Sequence, residues 1–212
     1  MKAALIGFFL ASSLLLADTP PAEIFLPAPH KTGGKPLMEA LALRSTSRSF
    51  GVKDLATQQL SDLLWAAFGV NRPNGKRTAP SARNWQETDI YVLMKSGAYR
   101  YDAGANRLFE VVAGDIRALG GTQAFVKDAP VTLVYVADLG KTGPGPAAQR
   151  QEWSAMDASF IAENVYLFCA SENLVTGVRA YVDKAALGAK LGLRENQYIV
   201  LAQSVGYPVP AR

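Results

Sequence analysis

Three short segments hold most of the side chains able to do chemistry. Arg44-Ser-Thr-Ser-Arg-Ser-Phe50 sets two cations four residues apart with three hydroxyls between them and an aromatic just after. Guanidinium groups and hydroxyls so spaced suit a phosphate or another polyoxygen ligand, although a solvated turn with hydroxyl caps has the same composition. Thr78-Ala-Pro-Ser-Ala-Arg-Asn-Trp-Gln86 adds small residues that permit close approach, with neutral donors and acceptors at Ser81, Asn84 and Gln86. The third segment is Val205-Gly-Tyr-Pro208.

Other chemistries lack their parts. The 212 residues include one His and one Cys, which excludes intramolecular disulfides, multi-His metal sites and Cys-rich zinc or iron–sulfur ligation. A Ser nucleophile needs a base, and His30 stands in a Pro-rich stretch outside any periodic element. Cys169 falls inside an apolar run, where a thiol behaves as a small hydrophobe. Gly140-Lys141-Thr142 has the end of a phosphate-binding loop, but Tyr135 stands where that loop needs its first Gly, and Pro144 and Pro146 block the helix that should follow. A formal charge of +4 is too mild to argue for nucleic acid. The cluster Arg72, Lys76, Arg77 and Arg83 either guides an anionic substrate, such as the 2′-phosphate of NADPH, or is a solvated loop. Tyr99, Tyr101 and Trp153 either line a pocket or fill the core.

The elements that must position these segments start after the N-terminus. Lys2 precedes a charge-free apolar stretch, Ala3 to Leu16, and Ala17 stands before Asp18-Thr-Pro-Pro21. Residues 1–17 are expected to be a secretory signal peptide, too short to cross a bilayer, which places the mature chain in the periplasm or outside the cell. Residues 18–36, rich in Pro and Gly, are expected to be an extended arm on the surface of the domain or of a partner subunit, followed by one domain over 37–212.

Within that domain, Leu37–Leu43 reads as a short helix. Leu60, Leu63, Leu64, Ala67 and Phe68 mark a second, with Thr57 as its cap and Gly69 ending it in the left-handed conformation. Residues 71–84 read as loop. Ile90–Met94, Ala98–Tyr101 and Leu108–Val112 form an antiparallel meander, and Val131–Ala137 a buried central strand. In Ala155–Ala170 only Asp157, Ser159, Glu163 and Asn164 are polar, so this helix is expected to be buried on nearly every side, at a domain centre or across a subunit interface. Leu174–Val182 reads as strand, Lys184–Leu191 as a helix closed by Gly192, and Tyr198–Ala202 as a last strand. Without regular βαβ alternation the fold class is α+β, with a mostly antiparallel sheet flanked by helices.

Taken in order, the three segments resemble the nitroreductase family of flavin-dependent oxidoreductases. An Arg-x-Ser/Thr-x-Arg/Lys-x-Phe segment is matched by Arg44, Thr46, Arg48 and Phe50; Pro-Ser-Ser/Ala-x-Asn-x-Gln by Pro80, Ser81, Ala82, Asn84 and Gln86; Gly-Tyr-Pro by Gly206, Tyr207 and Pro208. The Arg77-Thr-Ala-Pro-Ser-Ala82 form looks closest to the branch that includes azoline-forming (SagB-type) peptide dehydrogenases. The resemblance implies a homodimer with FMN at two shared sites. Arg44, Ser45, Thr46 and Arg48 would grip the phosphate, ribityl chain and pyrimidine edge; Pro80, Ser81, Ala82 and Asn84 would come from the partner; the backbone at Arg179 and Ala180 would face the ring.

No catalytic side chain is then required, because hydride passes through the flavin. A cation near the pyrimidine edge stabilises the reduced anion by roughly 4 kcal/mol at about 4 Å and an effective dielectric of 20, before desolvation. The implied activity is hydride transfer between a donor such as NAD(P)H and a small electron-poor acceptor of quinone or nitroaromatic type. A dehydrogenase acting on a heterocycle or peptide, and a non-catalytic flavin- or ligand-binding protein, are the alternatives. The chain departs from the family in having Glu163-Asn164 where Gln-Asn is frequent, and in offering only Arg212 for the phosphate contact often made by a longer tail.

Overall fold

The structure, a computed structural model, describes residues 22–210. The signal segment of residues 1–17, the start of the arm and Arg212 lie outside the described residues.

The sheet grows from the meander. Strands β2 (Thr88–Met94), β3 (Gly97–Asp102) and β4 (Arg107–Ala113) pair antiparallel in succession. Asp102 shapes the turn between the last two: its Oδ1 accepts from the N–H groups of Gly104 and Ala105 at 2.8 and 3.0 Å. Strand β5 (Val131–Asp138) joins β2 on its other side, followed by β7 (Gln197–Gly206) and β6 (Val175–Arg179). The arm supplies a strand that its Pro/Gly content hid, β1 (Glu23–Phe25), which pairs with β4 and covers that edge. The resulting order, β1-β4-β3-β2-β5-β7-β6, is antiparallel throughout.

The nearly continuous apolar reading of β5 has a simple cause: both faces are covered. Leu133, Tyr135 and Ala137 face a core built with helix α2 (Thr57–Phe68) and helix α3 (Ala147–Ser171), through Leu63, Leu64, Ile161 and Val165. Val134 and Val136 face a smaller core with helix α4 (Lys184–Lys190) through Leu187 and Leu191. Inside the larger core the Tyr135 hydroxyl donates to Gln203 Oε1 at 2.5 Å, and Gln203 Nε2 donates to the Ala162 carbonyl at 3.2 Å. Tyr135→Phe leaves that amide oxygen short of a donor, and a loss of about 1–3 kcal/mol in urea-unfolding stability is expected.

Several local expectations need correction. Thr57 does not cap α2; the N-cap is Ala56, with no side-chain cap bond. Gly69 ends α2 in extended backbone (φ −72°), and glycine is required for room: a Cβ there would overlap the Trp65 side chain and Cα. Helix α3 begins at Ala147, directly after Pro146, eight residues earlier than its apolar run. In this chain α3 is not buried all round, since Met156 and Phe160 are half-exposed. The last strand reaches Gly206, so the Gly-Tyr-Pro segment begins inside it. Gly192 does take the left-handed conformation expected of it, at φ +65°.

Tyr99 and Tyr101 belong to the core. The Gly140–Lys141 turn cradles no phosphate: Asp138 accepts the Gly140 N–H at 2.9 Å, and Lys141 pairs with Asp89 at 2.6 Å. The arm lies along the domain, where the Pro27 carbonyl accepts from Ser61 Oγ at 2.6 Å and the His30 N–H donates to Asp62 at 2.7 Å. Among the described residues no helix is long and apolar enough to cross a membrane, and no group of three or more His, Cys, Asp and Glu is placed to hold a metal.

Candidate active site

The Arg44–Phe50 segment follows helix α1 (Leu37–Leu43), of which Arg44 is the C-cap residue. It crosses the edge strand β6, where the Ser47 N–H donates to the Thr176 carbonyl at 2.8 Å. Tyr166 of α3 fixes it from below: its hydroxyl meets Thr46 Oγ1 at 3.0 Å and accepts the Val178 N–H at 3.1 Å. The Arg44 guanidinium lies 5.3 Å from the Tyr166 ring centroid. Beyond the segment, the Gly51 N–H donates to the Tyr207 carbonyl at 2.8 Å, and Tyr207 is itself held by Gln59 at 2.6 Å. The third segment therefore acts on the first: Gly206-Tyr-Pro208 returns beside it and fixes where it leaves the sheet.

A cleft of about 220 Å³ opens where this segment meets β6, lined by Thr46, Ser47, Arg48, Gln123, Phe125, Gly177, Val178, Arg179, Ala180 and Tyr181. Of the expected site residues it gathers Thr46, Arg48, Arg179 and Ala180; Arg44 and Ser45 stand exposed just upstream. The Arg179 side chain turns inward, with Nε donating to the Gly120 carbonyl at 3.0 Å, and burial lowers its pKa to about 10. Its Nη2 and the Gln123 Oε1 are buried with no partner, one unsatisfied donor and one unsatisfied acceptor beside the same cleft. Among the described residues neither Arg44 nor Arg48 has a carboxylate partner. The cleft offers cations and hydroxyls to one ligand, and the two orphaned groups lie buried in its wall. Its volume, however, is below the ~300–1,000 Å³ typical of ligand pockets.

Pro80, Ser81, Ala82 and Asn84 are elsewhere. Ser81 Oγ accepts the Gln86 N–H at 3.0 Å, Asn84 Oδ1 accepts from Gln86 Nε2 at 3.2 Å, and the Ala82 N–H donates to Asp157 of α3 at 2.8 Å. Arg83, Asn84 and Gln86 all adopt left-handed backbone (φ 52°, 55° and 50°), a conformation costing roughly 1–2 kcal/mol per non-glycine residue. Such strain collects at functional sites. Tyr166 and Asp157, which anchor the two segments, are nine positions apart on α3, about 14 Å at ~1.5 Å per residue. One chain thus holds the two motifs at separate stations of one helix.

The nitroreductase family model matches residues 41–207, which includes the first two segments and the third as far as Tyr207. The chain belongs to the nitroreductase family. It is 40% identical to a Ralstonia eutropha protein, provisionally named a nitroreductase, whose crystal structure superposes with a TM-score of 0.85 over 91% of this chain and 96% of that one. A Methanocaldococcus jannaschii protein with a similar provisional name is 28% identical over 181 residues, covering 80% of this chain and 90% of its own. The NADPH:FMN oxidoreductase of Vibrio harveyi, solved with NAD+, shares the fold at 19% identity and a TM-score of 0.62, over 83% of this chain and 72% of that one. The α+β architecture is therefore the nitroreductase fold, and the chain is an oxidoreductase of that type.

The family's flavin fits the residues present. Arg44 and Arg48, which have no carboxylate partner among the described residues, and the Ser45 and Thr46 hydroxyls are of the kind that would suit its phosphate and polar groups. Gln123, Phe125 and Tyr181 carry no motif signal: Gln123 and Phe125 lie at the short 3-10 turn Ala124–Lys127, and Tyr181 stands two residues past the end of β6, within the span read as strand. Tyr166 was hidden inside an apolar helix, where its hydroxyl was the one available clue. The thiol of Cys169 is fully buried and its pKa pushed far up by desolvation, so it takes no part.

Proposed function

We propose that the protein is an FMN-dependent oxidoreductase that moves hydride between a reduced donor such as NAD(P)H and a small electron-poor acceptor of quinone or nitroaromatic type. We further propose that it works as a homodimer whose two FMN sites are each built from both subunits. The observation that carries the reading is the half-sized cleft. It holds unpaired cations and two orphaned polar atoms, while the second motif is strained into shape about 14 Å along α3. A copy of the chain that supplied its Ser81–Asn84 segment over the cleft would provide the missing wall, and the half-exposed Met156 and Phe160 of α3 are suited to the contact between copies.

FMN, when bound, supplies two-electron hydride chemistry. The protein's part is to bind and orient it: Arg44, Ser45, Thr46 and Arg48 at the phosphate, ribityl and pyrimidine groups, and the backbone at Arg179 and Ala180, where β6 ends, against the ring. Positive charge held at the pyrimidine side favours the reduced anion. The test is anaerobic mixing of the FMN-loaded protein with NADPH or NADH, followed by a quinone or nitroaromatic acceptor. Bleaching of the flavin absorbance by donor and its recovery on adding acceptor is the expected result. A bound flavin that no donor reduces would leave a binding protein on the same scaffold.

The Arg77-Thr-Ala-Pro-Ser-Ala82 segment favours one second reading, oxidation of a heterocycle or peptide with flavin as acceptor. Bleaching by an azoline-precursor peptide, with no response to nicotinamide donors, would select it. We propose also that the chain is exported, on the strength of residues 1–17. N-terminal sequencing of mature protein from the periplasm or medium should begin at Asp18.

A further inference from the structure

Two carboxyl groups lie buried together beneath the Ser81–Gln86 segment. Glu87 is wholly inaccessible and Asp157 nearly so. Among the described residues neither Glu87 oxygen has a partner of hydrogen-bond geometry, and the polar groups beside them are the Glu87 N–H, the Ser154 hydroxyl and the Asp157 carboxyl of α3. Asp157 Oδ2 is already engaged, accepting the Ala82 N–H at 2.8 Å.

The surroundings offer no countercharge. From β7 comes Tyr198, whose hydroxyl donates to the Gln151 carbonyl at 3.1 Å. From β5 comes Asp138, whose N–H donates to the Glu87 carbonyl at 3.0 Å while its carboxylate is taken by Arg194 and Asn196. No Lys or Arg is among the groups acting on either carboxyl. Two ionised carboxylates are acceptors only, so side by side in a sealed site they repel and leave their oxygens unsatisfied. One proton removes both problems, because a protonated Glu87 donates to the free oxygen of Asp157 while Asp157 keeps its bond to Ala82.

We propose that Glu87 and Asp157 share a single proton at neutral pH, and that this protonated pair is the positioning element for Ser81–Asn84. The role in flavin binding rests on the shared-site reading above. Burial first, and then the Asp157 charge, hold the Glu87 carboxyl above the usual glutamate range. Burial raises Asp157 too; because Asp157 already accepts the Ala82 N–H while neither Glu87 oxygen has a partner of hydrogen-bond geometry, the proton sits on Glu87. Loss of that proton sets two negative charges against each other, pulls Asp157 from the Ala82 N–H and releases the left-handed turn at Arg83, Asn84 and Gln86.

The direction of the pH dependence follows from proton uptake. The folded chain holds a proton that the unfolded chain has released, so this contribution to stability is complete below the ordinary glutamate pKa and is lost as pH rises through the raised, folded value.

The direct test is infrared spectroscopy of the full-length protein without added flavin, at neutral pH, comparing wild type with Glu87→Gln. A protonated-carboxyl C=O stretch should be present in wild type and absent in the variant. Urea midpoints from about pH 5 to about pH 8 should fall more steeply for wild type than for Glu87→Gln, whose amide donates at every pH. Absence of the carbonyl band, or equal slopes, overturns the shared proton. For the positioning role, Glu87→Ala should weaken FMN binding about tenfold, 1.4 kcal/mol, and Gln at the same position should restore most of it. Unchanged affinity in Glu87→Ala overturns that role. A wild type that binds no flavin while showing the band and the slope refutes the shared-site reading and leaves the proton pair standing.

Discussion

Gly177→Ala is expected to lower flavin-dependent turnover about a hundredfold and to weaken FMN binding while leaving the secondary structure intact. Gly177 sits in the middle of β6, directly under the Arg44–Phe50 segment. A Cβ built there would come within 2.5 Å of the Ser47 carbonyl oxygen and 3.5 Å of Thr46 Cγ2. The first contact is with backbone, so no side chain can swing aside to relieve it. The segment has to lift, and its ties to the Thr176 carbonyl and the Tyr166 hydroxyl lengthen with it. Displacement of about 1 Å at a positioned site costs on the order of 10² in rate. Because β6 is an edge strand and Arg44–Ser49 lie at the surface, far-UV circular dichroism should be nearly unchanged. FMN titration by fluorescence quenching, with turnover measured on the same preparation, checks this. Wild-type values in both would remove the Arg44–Phe50 segment from the site.

Arg48→Ala is expected to weaken FMN binding 10- to 100-fold and to lower the flavin reduction potential. Arg48 lines the cleft and has no carboxylate partner among the described residues, and in the proposed site it would face a ligand that carries a phosphate and gains negative charge on reduction. A hydrogen bond to a charged group contributes about 1.5–3 kcal/mol, which sets the affinity range. The redox part follows from the sign of the charge: removing a cation destabilises the reduced, more negative form. Solvent near an exposed guanidinium screens the effect, so a drop of about 30 mV, one tenfold change in a two-electron equilibrium, is the scale to look for. Spectroelectrochemical titration measures it. A potential equal to wild type would move Arg48 off the pyrimidine edge, and equal affinity as well would remove it from the site.

Both variants act on a segment whose chemistry was legible and whose support was not. Arg44, Thr46 and Arg48 suit a polyoxygen ligand or a solvated turn equally by charge and spacing, and the ligand reading comes from the three segments taken in order. What holds them is long-range: Tyr166 is 120 positions from Thr46, and Tyr207 more than 150 from Gly51. The meander was readable from short strands set between turn residues, and β5 from a near-continuous apolar run that follows directly from covering both sheet faces. Strand β1 was not, because its three residues gain their strand character only by pairing with β4 across the sequence. The caps of α2 failed for a related reason: Gly69 is required by the Trp65 side chain, a contact that a helix-ending rule does not contain. Glu87 reads as an ordinary polar residue ending a loop, and only the fold seals it against Asp157. The poverty in His and Cys did carry meaning, since the remaining donors suit a borrowed cofactor rather than a protein nucleophile.

The central claim is one FMN per chain in sites that exist only when two chains meet. Sedimentation velocity followed at once in the protein and flavin absorbance bands tests it most directly. The shared-site account predicts a single flavin-carrying boundary at twice the chain mass, with one flavin per chain and no flavin on any slower species. A boundary at the mass of one chain with a full complement of flavin, or a dimer boundary with none, would contradict it.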